Sequence, residues 1–330
     1  MTNTNTKIIN SSFSKILPTL QLAFDSTSMG NLETCPQLYE YINVLGYTPP
    51  GTNAHLKWGL EYHASLEAFD RSVAKGLSYN DSLFAAVKTA LVNTWDFKLS
   101  RPWVSDHPLK NRLTLIRSVI WYLDQFRDDP IQTVIFPDGT PAVEKSFRFD
   151  PGIVSLSTGE NFIICGHLDR IGKLHQRFFI LDRKTTKGAI GTSYFKKYTP
   201  DTQMQTYDLA GTMVFFEEMA GIIIDVAQVG VNFTRFARGQ VNYDTSLREE
   251  HLQHLQDYLR LAETYAKNNH WPMNKKACNA YSSYNQDFDT WNHEGCPFRD
   301  VCSSPKNMRQ QLLETFFEKK IWDPLQVREV

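Results

Sequence analysis

The sequence has no long hydrophobic run, few cysteines and almost no net charge, and each shortage excludes a class of protein. Its most apolar stretch, residues 220–231, is interrupted by Asp225 and is too short to cross a bilayer, so we expect no membrane partner. The opening residues, Met-Thr-Asn-Thr-Asn-Thr-Lys, have neither the apolar stretch nor the cleavage site of a secretory signal. The expected location is therefore the cytoplasm.

The charges of the whole chain nearly cancel, but they are unevenly distributed along the sequence. The 35 basic and 36 acidic side chains give a formal net charge of −1, which does not mark a nucleic-acid-binding protein. Residues 170–197, however, hold eight lysines and arginines against one acid, Asp182. This local positive field suits a polyanionic substrate, with Lys187, Lys196 and Lys197 as candidate contacts. A solvated charged face accounts for the same segment equally well.

The five cysteines are unevenly spaced. Cys296 and Cys302 form a close pair, Cys278 precedes them by a polar, aromatic loop, and Cys35 lies far upstream. In a reducing compartment, clustered cysteines indicate metal or redox chemistry rather than disulfides. Four thiolates meet the ligand count of a tetrahedral zinc site and of a [4Fe–4S] cluster, so the residues leave both metals open. Burial in a strand explains the fifth, Cys165, better than ligation does.

Hydrophobic residues make up 42% of the 330 positions, enough for a substantial core, and their periodicity changes along the chain. We divide the chain into a polar arm (1–23), a helical region (24–130), a β-rich core (131–268) and a cysteine-containing C-terminal segment (269–330) that we expect to be irregular. A capping box, Ser246-Leu-Arg-Glu249, opens the last predicted helix of the core. Strands are predicted at 142–149, 162–169, 177–184 and 226–233, and core helices at 202–219 and 246–267.

Two neighbouring strand patterns in the core end in acids. Asp169 ends the first, and Asp182 with Lys184 ends the second. Period-two alternation places Asp182 and Lys184 on one face, with Arg183 pointing away. Such carboxylates can share a hard cation such as Mg²⁺ or Mn²⁺, which generates a hydroxide nucleophile, while the lysine stabilises developing negative charge. On its own, Asp-x-Lys is a common pattern that is typical of a surface salt bridge. The acid on each of the two strands favours a metal site instead.

Three segments together resemble a known family: Gly166-His-Leu-Asp169-Arg, Leu181-Asp182-Arg-Lys184-Thr-Thr and Gln203-Met-Gln-Thr-Tyr207. Their order and spacing are similar to the PD-(D/E)XK nuclease superfamily. They are most similar to its RecB-like branch, which includes the AddB nuclease domain and CRISPR-associated RecB-like iron–sulfur exonucleases. The resemblance covers about residues 35–302. It implies an α/β fold with a restriction-endonuclease-like core, in which helices flank a mixed central sheet. An N-terminal helical region and a C-terminal iron–sulfur staple complete the implied architecture.

The resemblance also implies roles for residues outside the paired strands. Gly59-Leu-Glu-Tyr-His63 matches the Gly-x-x-x-His motif of the branch, so His63 is implied as a metal ligand. Gln203 and Tyr207 match a motif that lines the active site and contacts DNA, and Glu144 is implied as a metal ligand or a support for the ligands. The implied metal ligands are His63, Asp169, Asp182 and the backbone carbonyl of Arg183; the implied catalytic residues are Asp169, Asp182, Lys184, Gln203 and Tyr207.

One N-terminal cysteine and three C-terminal ones also match the iron–sulfur members of the branch. The resemblance therefore implies a structural [4Fe–4S] cluster held by Cys35, Cys278, Cys296 and Cys302, with zinc as the alternative metal.

The function implied by the resemblance is that of a Mg²⁺- or Mn²⁺-dependent DNA nuclease. We expect an exonuclease or end-processing enzyme whose partner is single-stranded DNA or DNA with free ends. No Gly-x-x-x-x-Gly-Lys-Ser/Thr motif is present, so a stand-alone nuclease or a subunit with a protein partner is expected. The implied settings are recombination, repair, viral DNA processing and CRISPR adaptation. The alternatives are a non-catalytic nucleic-acid-binding module and a zinc-stapled structural protein.

Overall fold

A computed structural model describes residues 12–51, 54–105, 107–215, 218–280, 284–285, 290–291 and 296–326. The helices are α1 Ser26–Thr34, α2 Pro36–Tyr39, α3 Ala54–Ala74, α4 Tyr79–Asn93, α5 Arg112–Gln125, α6 Thr192–Lys196, α7 Thr202–Phe215, α8 Thr245–Asn268, α9 Lys275–Ala280, α10 Arg299–Ser303 and α11 Lys306–Phe316, and a π-helical turn, Glu40–Val44, follows α2. The strands are β1 Ala23–Phe24, β2 Tyr47–Thr48, β3 Trp95–Asp96, β4 Arg101–Pro102, β5 Gln132–Thr133, β6 Val143–Phe149, β7 Ile163–Leu174, β8 Arg177–Thr186, β9 Met219–Val229, β10 Thr234–Val241, β11 Tyr284–Asn285, β12 Thr290–Trp291 and β13 Glu318–Lys319.

The chain forms two compact units, each built from segments that are separated in sequence. Unit 1 contains residues 1–50, 148–166 and 249–330, and unit 2 contains residues 51–147 and 167–248. Within the part of the chain that is described, no helix is both long and apolar enough to cross a membrane.

Unit 2 is organised around a mixed sheet. Strand β7 pairs with β5, β6 and β8, β8 runs parallel to β9, and β9 is antiparallel to β10. The parallel step from β8 to β9 requires a crossover, which α6 and α7 provide. Helices pack on this sheet, with α3, α5 and α7 against β8, β9 or β10. The predicted α/β class, a mixed sheet flanked by helices, is therefore confirmed.

Alternation along β8 sends successive side chains towards different helices. Arg183 pairs with Asp70 of α3, whereas Ile180 lies beside Gly211 of α7 and Lys184 bonds to a residue of α7. Gly211 is required there, because a Cβ at this position would lie 2.5 Å from the Met219 side chain. The alternation expected from the sequence, with Arg183 pointing away from Asp182 and Lys184, is what the structure shows.

Helices α3, α4 and α5 form their own apolar core over one face of β9 and β10. One face of α3 is buried, with Trp58, Tyr62 and Leu66 at most 1% exposed. Between α4 and α5 the chain forms a hairpin of β3 and β4 that the sequence did not predict. Between residues 24 and 130 the described chain is therefore mainly helical, with β1, β2 and this hairpin as the exceptions.

Unit 1 joins the beginning and the end of the described chain. Residues of α2 and the π-helical turn pack with α10 and α11, and β2 pairs with β13. The prediction of irregular structure after residue 268 was wrong where the structure describes the chain, because α11 carries the apolar residues Met308, Leu312, Leu313 and Phe316 at helical spacing. In the polar arm (1–23), Leu20 and Leu22 are buried, and residues 1–11 lie outside the described part of the chain.

Several predicted boundaries were also wrong. The helix predicted at 202–219 ends at Phe215, and the strand predicted at 226–233 begins at Met219 and ends at Val229, because periodicity alone does not separate a buried strand from a buried helix. Helix α8 is capped by Asp244, whose carboxylate accepts from the Leu247 N–H at 2.9 Å, and not by the predicted Ser246. Strand β7 continues past Asp169 to Leu174, so this acid does not end its strand.

Candidate active site

The two aspartates predicted to act together lie on adjacent antiparallel strands. Residues Arg170 of β7 and Leu181 of β8 are paired, which makes their neighbours Asp169 and Asp182 adjacent across the hairpin. Both aspartates are buried, at 9% and 2% exposure. The hairpin therefore brings together two acids that are thirteen residues apart in sequence.

A possible metal-binding group is formed by His63, Glu144 and Asp169. One ligand atom from each lies within 4.8 Å of the other two, and His63 Nδ1 is 3.5 Å from Asp169 Oδ2. The three residues come from helix α3 and strands β6 and β7. Carboxylate oxygen suits Mg²⁺ and Mn²⁺, and imidazole nitrogen suits transition metals such as Mn²⁺, so the donor set fits the cation that the sequence implied.

Glu144 has an unusual backbone in this group. Its φ is +47°, in the left-handed region, although it lies inside a strand and is not glycine. Such a conformation costs on the order of 1 kcal/mol and is found most often where a side chain is held for function. The backbone of β6 is therefore bent at the residue that reaches the His63 and Asp169 donors.

Arg183 ties the two strands to helix α3. Its backbone N–H donates to Asp169 Oδ2 at 2.7 Å, and its guanidinium donates to Asp70 Oδ2 at 2.5 Å. Asp70 lies seven residues, or about two turns, beyond His63 on the same helix face. Asp70 was not predicted from the sequence. The feature that could have indicated it is the presence of an acid on the apolar face of α3.

Lys184 is held by a chain of hydrogen bonds. Its ammonium lies 2.9 Å from Asp182 Oδ2 and donates to Gln203 Oε1 at 2.8 Å. Gln203 in turn donates to the Tyr207 hydroxyl at 2.9 Å, and the Tyr207 ring packs edge-on against Phe147. Asp182 and Lys184 thus face helix α7, and four residues chosen from the sequence form one connected network.

Burial and neighbouring charges shift the pKa values of the site in opposite directions. Burial would raise the pKa of Asp169, but His63, Lys184 and the Arg183 N–H outweigh it and lower the pKa below the usual range. The pKa of Asp182 is raised to about 6, mainly by burial and then by Asp169, against the lowering effect of Lys184. Burial would lower the pKa of Lys184, but Asp182 and Asp169 raise it, so the ammonium is charged at neutral pH.

The basic segment is less exposed than its composition indicated. Arg170 and Arg183 are buried and paired with carboxylates, so they are part of the internal structure rather than of a binding surface. Lys196 and Lys197 are exposed at the end of α6, and the Lys197 ammonium lies 3.9 Å from the centre of the Tyr194 ring. Lys187, just after β8, is half-buried.

The four cysteines chosen from the sequence meet at one pocket of unit 1. Cys35, Cys278, Cys296 and Cys302 line it together with the apolar side chains Leu38, Tyr41, Met273, Ala277 and Phe298. The fifth, Cys165, is buried elsewhere, with its sulfur 3.5 Å from the carbonyls of Phe24 and Pro324.

The thiols of this pocket affect one another. After burial, the neighbouring thiols of Cys278 and Cys35 add to the rise in the pKa of Cys296. Burial raises the pKa of Cys296 to about 11 and that of Cys302 to about 12, so both are neutral thiols at neutral pH in the metal-free protein.

The model of the PD-(D/E)XK nuclease superfamily matches residues 26–303, which is most of the chain, so the chain belongs to that superfamily. Its α/β core is therefore restriction-endonuclease-like, as predicted.

A candidate exonuclease from Eubacterium rectale is similar at 9% identity over 85% of this chain and 92% of that chain, with a TM-score of 0.46. The protein SSO0001 is similar at 11% identity over 73% of this chain and 76% of that chain, with a TM-score of 0.31. Both TM-scores are too low for these two likenesses to support a conclusion about this chain. No curated protein matches the chain.

Proposed function

We propose that the protein is a divalent-metal-dependent DNA nuclease that acts at DNA ends. The observation that supports this most strongly is the juxtaposition of the His63, Glu144 and Asp169 donors with the network of Asp182, Lys184 and Gln203 in one unit. A non-catalytic module has no need of a half-buried lysine held between a carboxylate and an amide beside a metal-binding group.

His63, Glu144 and Asp169 would hold a Mg²⁺ or Mn²⁺ ion, with Asp182 and the Arg183 carbonyl as the further ligands that the resemblance implies. When bound, the ion lowers the pKa of water and offsets charge on the scissile phosphate. Tyr207 fixes the Gln203 amide, and Gln203 and Asp182 aim the Lys184 ammonium, which neutralises negative charge developing on the phosphate. Asp70 and Arg183 hold α3 against β8 and so keep His63 and Asp169 in register.

DNA with a free end is the proposed substrate, on the strength of the resemblance to the RecB-like branch. Lys196 and Lys197, both exposed, and Lys187 are proposed to contact backbone phosphates, whereas Tyr207, which is buried, is proposed to act on the DNA only through Gln203. A protein partner and a role in recombination, repair, viral DNA processing or CRISPR adaptation remain predictions.

A [4Fe–4S] cluster is proposed for the cysteine pocket of unit 1. The pocket gathers the four thiols that a cubane requires, and the resemblance to the iron–sulfur members of the branch favours iron over zinc. Asn274 donates its backbone N–H to Cys35 Sγ at 3.2 Å, a contact of the kind that stabilises cluster thiolates. The proposed cluster is structural, since the apolar residues around it join α2 to α10 and α11.

Comparison of linear and circular DNA tests this function. With Mg²⁺ present, we expect the protein to release nucleotides from end-labelled linear DNA, single-stranded or with single-stranded ends, and to leave covalently closed circles intact. A chelator is expected to stop the reaction. Equal cutting of circles would contradict action at ends. Binding without cleavage in Mg²⁺ and in Mn²⁺ would instead establish the non-catalytic module.

A further inference from the structure

The hairpin between α4 and α5 exposes aromatic and basic side chains at its tip. The six residues from Phe97 to Pro102 are all exposed, and the ring of Phe97 is 72% exposed. We propose that this hairpin is a nucleic-acid-binding finger, in which the ring of Phe97 stacks on a base of the substrate strand and Lys98 and Arg101 contact its phosphates. The proposal rests on the proposed nuclease function and adds a substrate-binding element to it.

The finger has a fixed shape. Asp96 Oδ1 accepts from the backbone N–H groups of Lys98 and Leu99, each at 3.0 Å, and Ser100 has a φ of +49° that tightens the turn. At the base, the Trp103 N–H donates to the Thr94 carbonyl at 2.7 Å. A preformed tip loses little conformational entropy on binding, so its exposed ring can contribute directly to affinity.

The base of the hairpin is also anchored. Arg112 donates to Thr94 Oγ1 and to the Leu91 carbonyl, each at 3.0 Å, while its guanidinium lies 5.8 Å from the centre of the Trp95 ring. The finger is therefore attached firmly to both α4 and α5.

The composition of the finger favours a nucleic acid over an apolar partner. Across residues 94–105, which are all described, aromatic and aliphatic residues alternate with Lys98 and Arg101, and the acid Asp96 is engaged by backbone N–H groups. Base stacking on aromatic rings, combined with cations for the backbone, is the general means of binding single strands without sequence preference. The occupant that fits this chemistry is a single strand of DNA.

The base of the finger and the catalytic strand both contact the start of α3. The Lys57 ammonium, at the start of α3, lies 4.9 Å from the centre of the Trp103 ring. Two residues further on, a Cβ at Gly59 would lie 4.0 Å from Thr185 Oγ1 on β8, beside Lys184, which is an ordinary contact distance. The finger and the catalytic strand are therefore both placed by the same end of α3.

Binding of a labelled single-stranded oligothymidylate, measured by fluorescence anisotropy in chelator, tests the finger without any cleavage. Phe97→Ala is expected to weaken binding about tenfold, since stacking contributes about 1–3 kcal/mol per base and tenfold corresponds to 1.4 kcal/mol. The matched control is Phe84→Ala on α4, because Phe84 is 68% exposed and lies away from the hairpin; it should bind like the wild type.

The basic residues give a second readout. Replacing Lys98 and Arg101 together by glutamine should make the dependence of log affinity on log salt shallower by roughly 0.7 for each phosphate that the variant no longer neutralises. As the control, Lys88→Gln replaces an exposed lysine of α4 and should leave the salt slope unchanged. In cleavage assays the finger variants should raise KM and leave kcat at saturating DNA unchanged.

If Phe97→Ala binds with wild-type affinity and the double variant has an unchanged salt slope, the proposed finger is wrong. The proposed nuclease function is not affected by that result. A wild-type dimer that becomes a monomer in Phe97→Ala, seen by light scattering, would also overturn it, because the tip would then bind a second copy. Conversely, weakened binding in Phe97→Ala with no cleavage by the wild type would support the finger and reject the nuclease function.

Discussion

Asp182→Asn is expected to lower DNA cleavage by at least about 10²-fold and, in chelator, to raise the free energy of unfolding. The loss of activity follows because the asparagine cannot supply the charge that binds a cation and positions Lys184. The gain in stability follows because burial, more than any other effect, raises the pKa of Asp182 to about 6, so the protein disfavours the carboxylate form despite Lys184. Asparagine resembles the neutral form that the metal-free fold prefers.

The pH dependence has a definite sign. An acid whose folded pKa lies above its unfolded value binds more protons in the folded state, so its contribution to stability falls as pH rises. For Asp182 this fall occurs between about 4 and about 6, the unfolded and folded pKa values. The difference in unfolding free energy between Asp182→Asn and the wild type should therefore grow across this interval and level off above it.

Urea unfolding in chelator and cleavage in Mg²⁺ measure the two effects. The matched control is Asp208→Asn, a buried carboxylate of α7 that is paired with Arg248 at 2.5 Å. This control replaces a buried carboxylate outside the site, so it should keep cleavage. An Asp182→Asn protein that cuts DNA at the wild-type rate, or that unfolds at lower urea in chelator, would contradict the assignment.

Replacement of one pocket cysteine is expected to remove the proposed iron–sulfur cluster and to destabilise unit 1. The wild type should be brown and contain about four iron and four sulfide per chain when purified without oxygen. Cys302→Ala should lose nearly all the iron and unfold at a markedly lower temperature, because ligand binding energy contributes directly to folding in such sites. Metal analysis, visible absorbance and thermal unfolding measure these results.

Cys165→Ala is the matched control for the cluster. Cys165 is as buried as Cys302 but lies outside the pocket, so its replacement should leave the iron content unchanged. A colourless wild type with one zinc per chain would contradict the proposed cubane and establish the zinc site instead. Equal loss of iron in both variants would show that the effect comes from the fold and not from ligation.

The sequence predicted the core of the site because its elements obey short-range rules. Alternation along β8 required Asp182 and Lys184 to share a face, and the four-residue spacing of Gln203 and Tyr207 required one helix face. The structure places these four residues in one hydrogen-bonded network. Their catalytic roles remain predictions.

Long-range features could not be predicted in the same way. Asp70 acquires its position only when α3 packs on β8, and the positive φ of Glu144 is set by the surrounding fold. Arg170 and Arg183 were counted as surface charge, although tertiary pairing buries both. The hairpin at Trp95 and the discontinuous composition of each unit likewise depend on contacts between distant segments.

The most direct test of the central claim, that this site cleaves DNA with the help of a divalent metal, is single-turnover cleavage of end-labelled DNA by the wild type and by Lys184→Ala in Mg²⁺ and in chelator. Mn²⁺ binding is measured on both proteins by electron paramagnetic resonance. We predict that the wild type cuts only with the metal and that Lys184→Ala is slower by about 10²–10³-fold while still binding Mn²⁺, because the lysine acts on the phosphate and not on the ion. Undiminished cleavage by Lys184→Ala, or wild-type cleavage that persists in chelator, would contradict the claim.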